Sequence, residues 1–165
     1  MHHKTFSVLL FISIFFMSQW FFGNLYEEIV MVPNHLTDTE KTMTGYVAYF
    51  HTTNPIFYFV PFTQLAILIV IFLYFKCEDP HQKRLLKNAS LFGILALLVT
   101  VLIVTQINVK IFSADFANYR HQLHTLSILW LLGNAVRMLL VAGSIYHAGK
   151  VYIIRETARH LPVKE

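Results

Sequence analysis

Four apolar runs constrain this chain more than any other feature. They cover residues 6–32, 54–75, 89–112 and 125–150, and each is long enough to cross a bilayer as a helix. The third is rich in β-branched residues, which favour strands, yet at about 1.5 Å of rise per residue its length matches a spanning helix. The predicted fold is therefore all-α, a bundle of four transmembrane helices forming a single integral membrane domain over residues 1–165. Composition agrees: 56% of residues are hydrophobic, only 13% are charged and fifteen are phenylalanine. In such a chain lipid surrounds most of the wall, and what needs explaining is polarity.

The net charge of +4 would suggest nucleic acid in a soluble protein. Here the basic residues flank the apolar runs, so their expected partners are membrane lipids and not nucleic acid. Nine of them, Lys4, Lys76, Lys83, Arg84, Lys87, Lys150, Arg155, Arg159 and Lys164, fall on one side, and Lys41, Lys110 and Arg120 on the other. That asymmetry predicts a multi-pass protein of a plasma or inner membrane with both termini cytoplasmic. Cys77 is the only cysteine, which excludes an intrachain disulfide and a thiolate metal cage, and it is expected to lie idle at the membrane edge.

The first run follows Met-His-His-Lys, as a signal peptide would. It is too long for that role, and residues 18–24 offer no small-x-small cleavage site, so it is read as a retained helix with Pro33 as its stop. Asn54-Pro55 suits the cap and first turn of the second helix, where Pro61 should bring a kink or an irregular first turn. Residues 34–53 read as an external loop, 76–87 as a short charged connection and 113–124 as a polar hinge.

Inside the fourth run Trp130, Asn134 and Arg137 stand at i, i+4 and i+7, so a ring, an amide and a permanent cation share one helix face. An arginine at mid-bilayer depth is costly, and should face the bundle interior and meet a partner from another helix. On the first helix Gln19, Gly23 and Glu27 share a face, with Asn24 and Glu28 beside them. Asn54 and Gln64 come from the second helix, Gln106 and Asn108 from the third. Polarity thus gathers in the outer half. Each group also has a plainer role: one of Glu27 and Glu28 solvated, the glutamines as interhelical bonds, and Trp20, Phe21 and Phe22 against lipid or neighbouring helices.

His121 and His124 are i, i+3, and with His51 or Glu27 they would make a mixed nitrogen and oxygen metal site. The spacing is common by chance and no His-Glu-x-x-His motif supports it, so no metal is assigned. His2 and His3 are read as tail, His147 and His160 as inner-side residues. Ser127 and Ser144 have no neighbouring base pattern that would mark a nucleophile.

Taken in order, Gly23-Asn24-Leu25-Tyr26-Glu27-Glu28, then Asn54-Pro55, then Trp130-x3-Asn134-x2-Arg137, the chain resembles the small four-helix membrane proteins of the anthrone-oxygenase-like family, most of which have no assigned function. The likeness covers nearly the whole chain, and only the last motif is moderately specific. It implies conversion of an anthrone to an anthraquinone without a metal or flavin, hence no cofactor. On that likeness the catalytic candidates are Glu27 or His124 as base and Arg137 for a developing enolate. Trp130, Asn134, Gln19 and Asn54 would bind a small aromatic or lipophilic ligand in an outward-facing pocket. Phenylalanine-rich walls suit a lipid or quinone equally. Three readings stay open: an oxygenase-like enzyme, a non-catalytic binding, assembly or transport-related protein whose polar stripe only locks helices, and a histidine-based metal or haem protein.

Overall fold

The computed structural model describes residues 3–160, the side chains of residues 114, 115, 159 and 160 apart. His2 and Lys164, assigned above to the tail and the inner side, lie outside the described residues, as do the side chains of Arg159 and His160. Five helices follow in order: α1 His3–Thr37, α2 Thr39–Tyr49, α3 Pro55–Lys76, α4 Pro80–Ile111 and α5 Leu123–His160. A 3₁₀ segment, Ala114–Gln122, joins α4 to α5. No strand occurs among the described residues. Helices α1, α3, α4 and α5 are each long and apolar enough to cross a membrane, so this is an all-α integral membrane bundle. They pack in a ring, α1 on α3, α3 on α4, α4 on α5 and α5 back on α1.

The outer wall is apolar: Phe11, Phe15, Leu98, Leu132 and Leu139 are all more than half exposed. In water that would be a large sticky surface, whereas acyl chains solvate it. Inside, one apolar cluster around Leu10, Met17, Ile67, Val70, Leu86 and Val141 fills the end nearest the chain termini. A second, around Val32, Met43, Ile103, Ile111, Leu123 and Trp130, fills the opposite end, which α2 and the 3₁₀ segment cover. We call this the cap end. A polar layer built on Asn24, Asn134 and Arg137 lies between the two clusters.

Several predicted boundaries move. Pro33 does not stop α1, because residues Glu27–Met31 are π-helical and restart the α-helical ladder at Val32, which places Pro33 in a first turn. A proline in the first turn of a restarted α-ladder is tolerated better than one in an unbroken helix interior. Residues 34–53 are not a simple loop, since they contain α2, capped by the Asp38 carboxylate, which accepts from the Lys41 amide at 3.4 Å. An exposed ion pair at 3.0 Å, Arg120 to Glu40, ties α2 to the 3₁₀ segment. Such a pair contributes about 0–1 kcal/mol. The connection predicted over residues 76–87 shrinks to Cys77–Asp79: the Asp79 carboxylate accepts from the Gln82 amide at 2.7 Å, Pro80 takes the first turn, and α4 begins. Helix α5 starts at Leu123, inside the predicted hinge, and its 38 residues extend far past the predicted end at Lys150. Pro61 sits within a continuous α3, in its second turn.

Candidate functional site

The polar layer is organised by Arg137, which is only 6% exposed. Its Nε donates to Asn134 Oδ1 at 3.1 Å, and its Nη2 donates both to the same oxygen and, at 2.8 Å, to Asn24 Oδ1 of α1. Asn134 is fully buried, and its Nδ2 donates at 2.6 Å to Glu28 Oε1. Asn24 is fixed in turn, since its Nδ2 donates to the Trp20 carbonyl at 2.9 Å. The guanidinium carbon stands 4.7 Å from the centroid of the Trp20 ring, a desolvated cation–π contact. The expected partner from another helix is therefore one amide, Asn24, and an indole, Trp20, with the Asn134 amide of the same helix completing the cradle. No carboxylate lies within 4.0 Å of the guanidinium among the described residues.

A chain of amides can hold such a cation because an amide oxygen accepts from two donors while its nitrogen passes the connection on. The result is a layer that ties α1 to α5 and leaves two N–H groups over. Nη1 of Arg137 has no acceptor among the described residues.

Beside this layer, toward the cap end, lies a cavity of about 50 Å³. Its polar lining comes from Arg137, Glu27, Asn24, His35, Tyr46 and Asn108, and its rings from Trp20, Phe59, Phe112 and Trp130. Trp130 stands edge-on to Phe112, with centroids 6.0 Å apart. Glu27 makes no hydrogen bond or ion pair among the described residues. Asn108 is 9% exposed and its Oδ1 has no hydrogen-bond partner. Tyr46, on α2, is held protonated to well above the ordinary tyrosine range, first by burial and then by the negative charge of Glu27. The cavity thus offers unused donors from Arg137, unused acceptors from Glu27 and Asn108, and a neutral phenol.

Two π-helical segments border the place where these groups meet. An extra residue in a turn shifts the phase of the helix face, and such bulges recur at functional sites. In α1 Glu27 and Glu28, three and four residues beyond Asn24, continue the inward Trp20–Asn24 face at the start of the segment Glu27–Met31, Glu28 onto Asn134 and Glu27 onto the cavity. The expectation that one of them is merely solvated does not hold. In α4 the segment Val104–Asn108 brings Val104 and Asn108 to the same cavity.

Of the predicted site residues, the structure brings together Glu27, Arg137, Trp130 and, directly behind them, Asn134. It does not bring in the other three. His124 is exposed on the first turn of α5, three residues before buried Ser127 and on a different face from Trp130. Gln19 donates to the Tyr58 hydroxyl of α3 as an interhelical bond outside the cavity. The Asn54 side chain is spent on capping α3, accepting from the Ile56 amide at 3.0 Å, although Pro55 and Ile56 beside it line the cavity. Gln64 and Gln106 are exposed and bridge no helices. His51, His121 and His124 are likewise exposed, and no group of three or more metal-ligating side chains forms among the described residues. Trp20, assigned to lipid or neighbours, is 4% exposed and stacks on the cation. His35 and Tyr46 carried no sequence signal, because they sit in what reads as a loop. Comparison with known proteins finds no family model, no curated protein and no solved structure that matches this chain.

Proposed function

We propose that this membrane protein binds a small lipophilic molecule carrying a carbonyl or hydroxyl group in the cap-end cavity, and that Glu27 and Arg137 give the site proton-transfer capacity. Glu27 takes a proton from the bound molecule, and the Nη1 donors of Arg137 hold the oxygen on which negative charge develops. The observation that carries this reading is a guanidinium secured by amides with donors to spare, beside an unpaired carboxylate. Arg137 lines the cavity, and its Nη1 is not a fully enclosed side-chain atom left without a partner, so these donors stand free for a molecule bound there. The oxygenase-like activity implied by the family resemblance uses the same two groups: proton abstraction next to a carbonyl gives an enolate, which dioxygen then oxidises. By charge asymmetry across the spans, both termini face the cytoplasm and the cavity lies in the outer half of a plasma or inner membrane.

One observation favours a second reading. The bonds from Arg137 to Asn24 and from Asn134 to Glu28 lock α1 to α5, which is what a non-catalytic assembly or binding protein would need. Mass spectrometry of small molecules extracted from the purified protein separates the two. The site reading expects a lipophilic compound enriched over bulk lipid in the wild type and lost from Glu27→Gln, which leaves the clamp intact. Identical extracts from both proteins would leave the locking role alone.

A further inference from the structure

The cavity's size, its unused donors and acceptors and its position narrow the ligand. At about 50 Å³ it is well below the ~150 Å³ of an engineered apolar cavity that accepts benzene. A fused aromatic ring of the kind the family resemblance implies enters only if the wall gives way, whereas a head of two or three heavy atoms fits the wall as it stands. The unused groups are complementary to a head with one acceptor and one donor. Arg137, 6% exposed, offers N–H from Nη1, and Asn108, 9% exposed, offers an unpartnered Oδ1. One cation with Glu27 and Glu28 nearby does not favour a further negative charge, so the head is best neutral.

The wall supplies the route. Helix α3 packs on α4 over Pro80–Ile103 but makes no sustained contact with the π-helical segment beyond it. At that seam Pro55, Ile56 and Phe59 face Val104 and Asn108 across the cavity. The flanking side chains Phe57 and Val109 are 72% and 53% exposed, as lipid-facing residues are. The seam lies at the first turn of α3, near the level at which an amphiphile's head already sits in the bilayer.

We propose that the cavity takes the carboxyl head of a long-chain fatty acid in its protonated form, entering sideways from the bilayer between α3 and α4 while the tail stays among acyl chains. The carbonyl oxygen accepts from Arg137 Nη1 and the O–H donates to Asn108 Oδ1. This rests on the binding site proposed above but not on its proton-transfer step: the acid is a resident occupant that binds while Glu27 itself holds a proton, and it is not the molecule that Glu27 deprotonates.

The two tryptophans of the chain, Trp20 and Trp130, both line the cavity, so their emission reports directly on it. The full chain in lipid nanodiscs is titrated with octadecanoic acid brominated at carbons six and seven. Saturable quenching is expected, stronger than that from the acid brominated near its methyl end. Unlabelled octadecanoic acid should reverse it, and methyl octadecanoate, which lacks the O–H, should compete about tenfold less well. In Asn108→Leu the acid should lose its advantage over the ester, a change in selectivity that a purely structural asparagine would not produce. Equal competition by acid and ester in the wild type, or stronger quenching from the methyl end, overturns the proposal. Saturable quenching by 4-bromophenol with none from the brominated acid would keep the binding site and overturn its fatty-acid occupant. If no probe quenches saturably, the binding site falls as well.

Discussion

The bond from Arg137 Nη2 to Asn24 Oδ1 joins the first and last helices at 2.8 Å, with the two residues 6% and 3% exposed. Truncating Arg137 alone would be a poor test of it. Arg137→Met strands the oxygens of Asn24 and Asn134, at about 1–3 kcal/mol each, but also removes the cost of burying a guanidinium, and the two effects oppose. A double-mutant cycle of Asn24→Ala and Arg137→Met cancels both and leaves the coupling. Hydrogen bonds to charged groups contribute about 1.5–3 kcal/mol in soluble proteins, while side-chain bonds between membrane helices average about 0.6 and reach about 1.7 kcal/mol. A buried, charge-assisted contact of good length belongs near the top of the membrane range. The expected coupling is about 1.5 kcal/mol, roughly tenfold in the unfolding equilibrium. The neutral, exposed bond from Gln19 to Tyr58 joins the first helix to α3 and serves as the internal control, with about 0.6 kcal/mol expected. Unfolding in mixed micelles by added denaturing detergent measures both cycles. If the Asn24 and Arg137 coupling is no larger than the control, the amide cradle does not hold the cation as described.

Tyr46 gives a pH prediction. Its folded-state value lies above its ordinary 10.0, so the stability it supports is complete below about pH 10 and declines as pH rises beyond that, because the unfolded phenol ionises first. Unfolding midpoints measured from pH 9 upward should fall in the wild type and less steeply in Tyr46→Phe. A Cβ at Gly23 would stand 2.5 Å from Phe59 Cζ, so Gly23→Ala should push that ring and change tryptophan emission without touching a polar group; an unchanged spectrum would count against the close approach of α1 and α3. Cys77 is 3% exposed and its thiol is raised by burial, so maleimide labelling should be slow in the folded protein and fast once denaturing detergent is added.

The sequence makes the four spans legible because bilayer thickness sets a length that apolar runs either reach or miss. It makes the stripe of Trp130, Asn134 and Arg137 legible because α5 is an uninterrupted α-helix, where spacing maps onto a face. The same arithmetic fails on α1. A helix wheel allows Gln19 with Glu27, yet the inward face is the neighbouring one through Trp20 and Asn24, on which Glu27 and Glu28 follow at three and four residues from Asn24, so both glutamates point inward and Gln19 does not. Asn54 illustrates a different failure. Its residue type served both a cap and a ligand role, and the local amide of Ile56 claimed it. His124 lies one turn outside the polar stripe, where a three-residue offset from His121 suggested chemistry that the helix face directs outward. Asn108 is among the outer-half polar residues that the spans bring up, whereas His35, on the last turns of α1, and Tyr46, on α2, reach the cavity from residues that read as a loop, and the folding of α2 over the cap end leaves no short motif.

Everything functional rests on the guanidinium of Arg137 being turned into an amide cradle and not toward acyl chains. Magic-angle-spinning NMR of arginine- and asparagine-labelled protein in bilayers, with Arg137→Lys to assign the signal, reads this directly. The predicted result is a slowly exchanging Nε–H with a cross-peak to the Asn134 side chain, and a cross-peak from Nη2 to the Asn24 side chain. Cross-peaks to lipid methylene protons without those to the asparagines would contradict it.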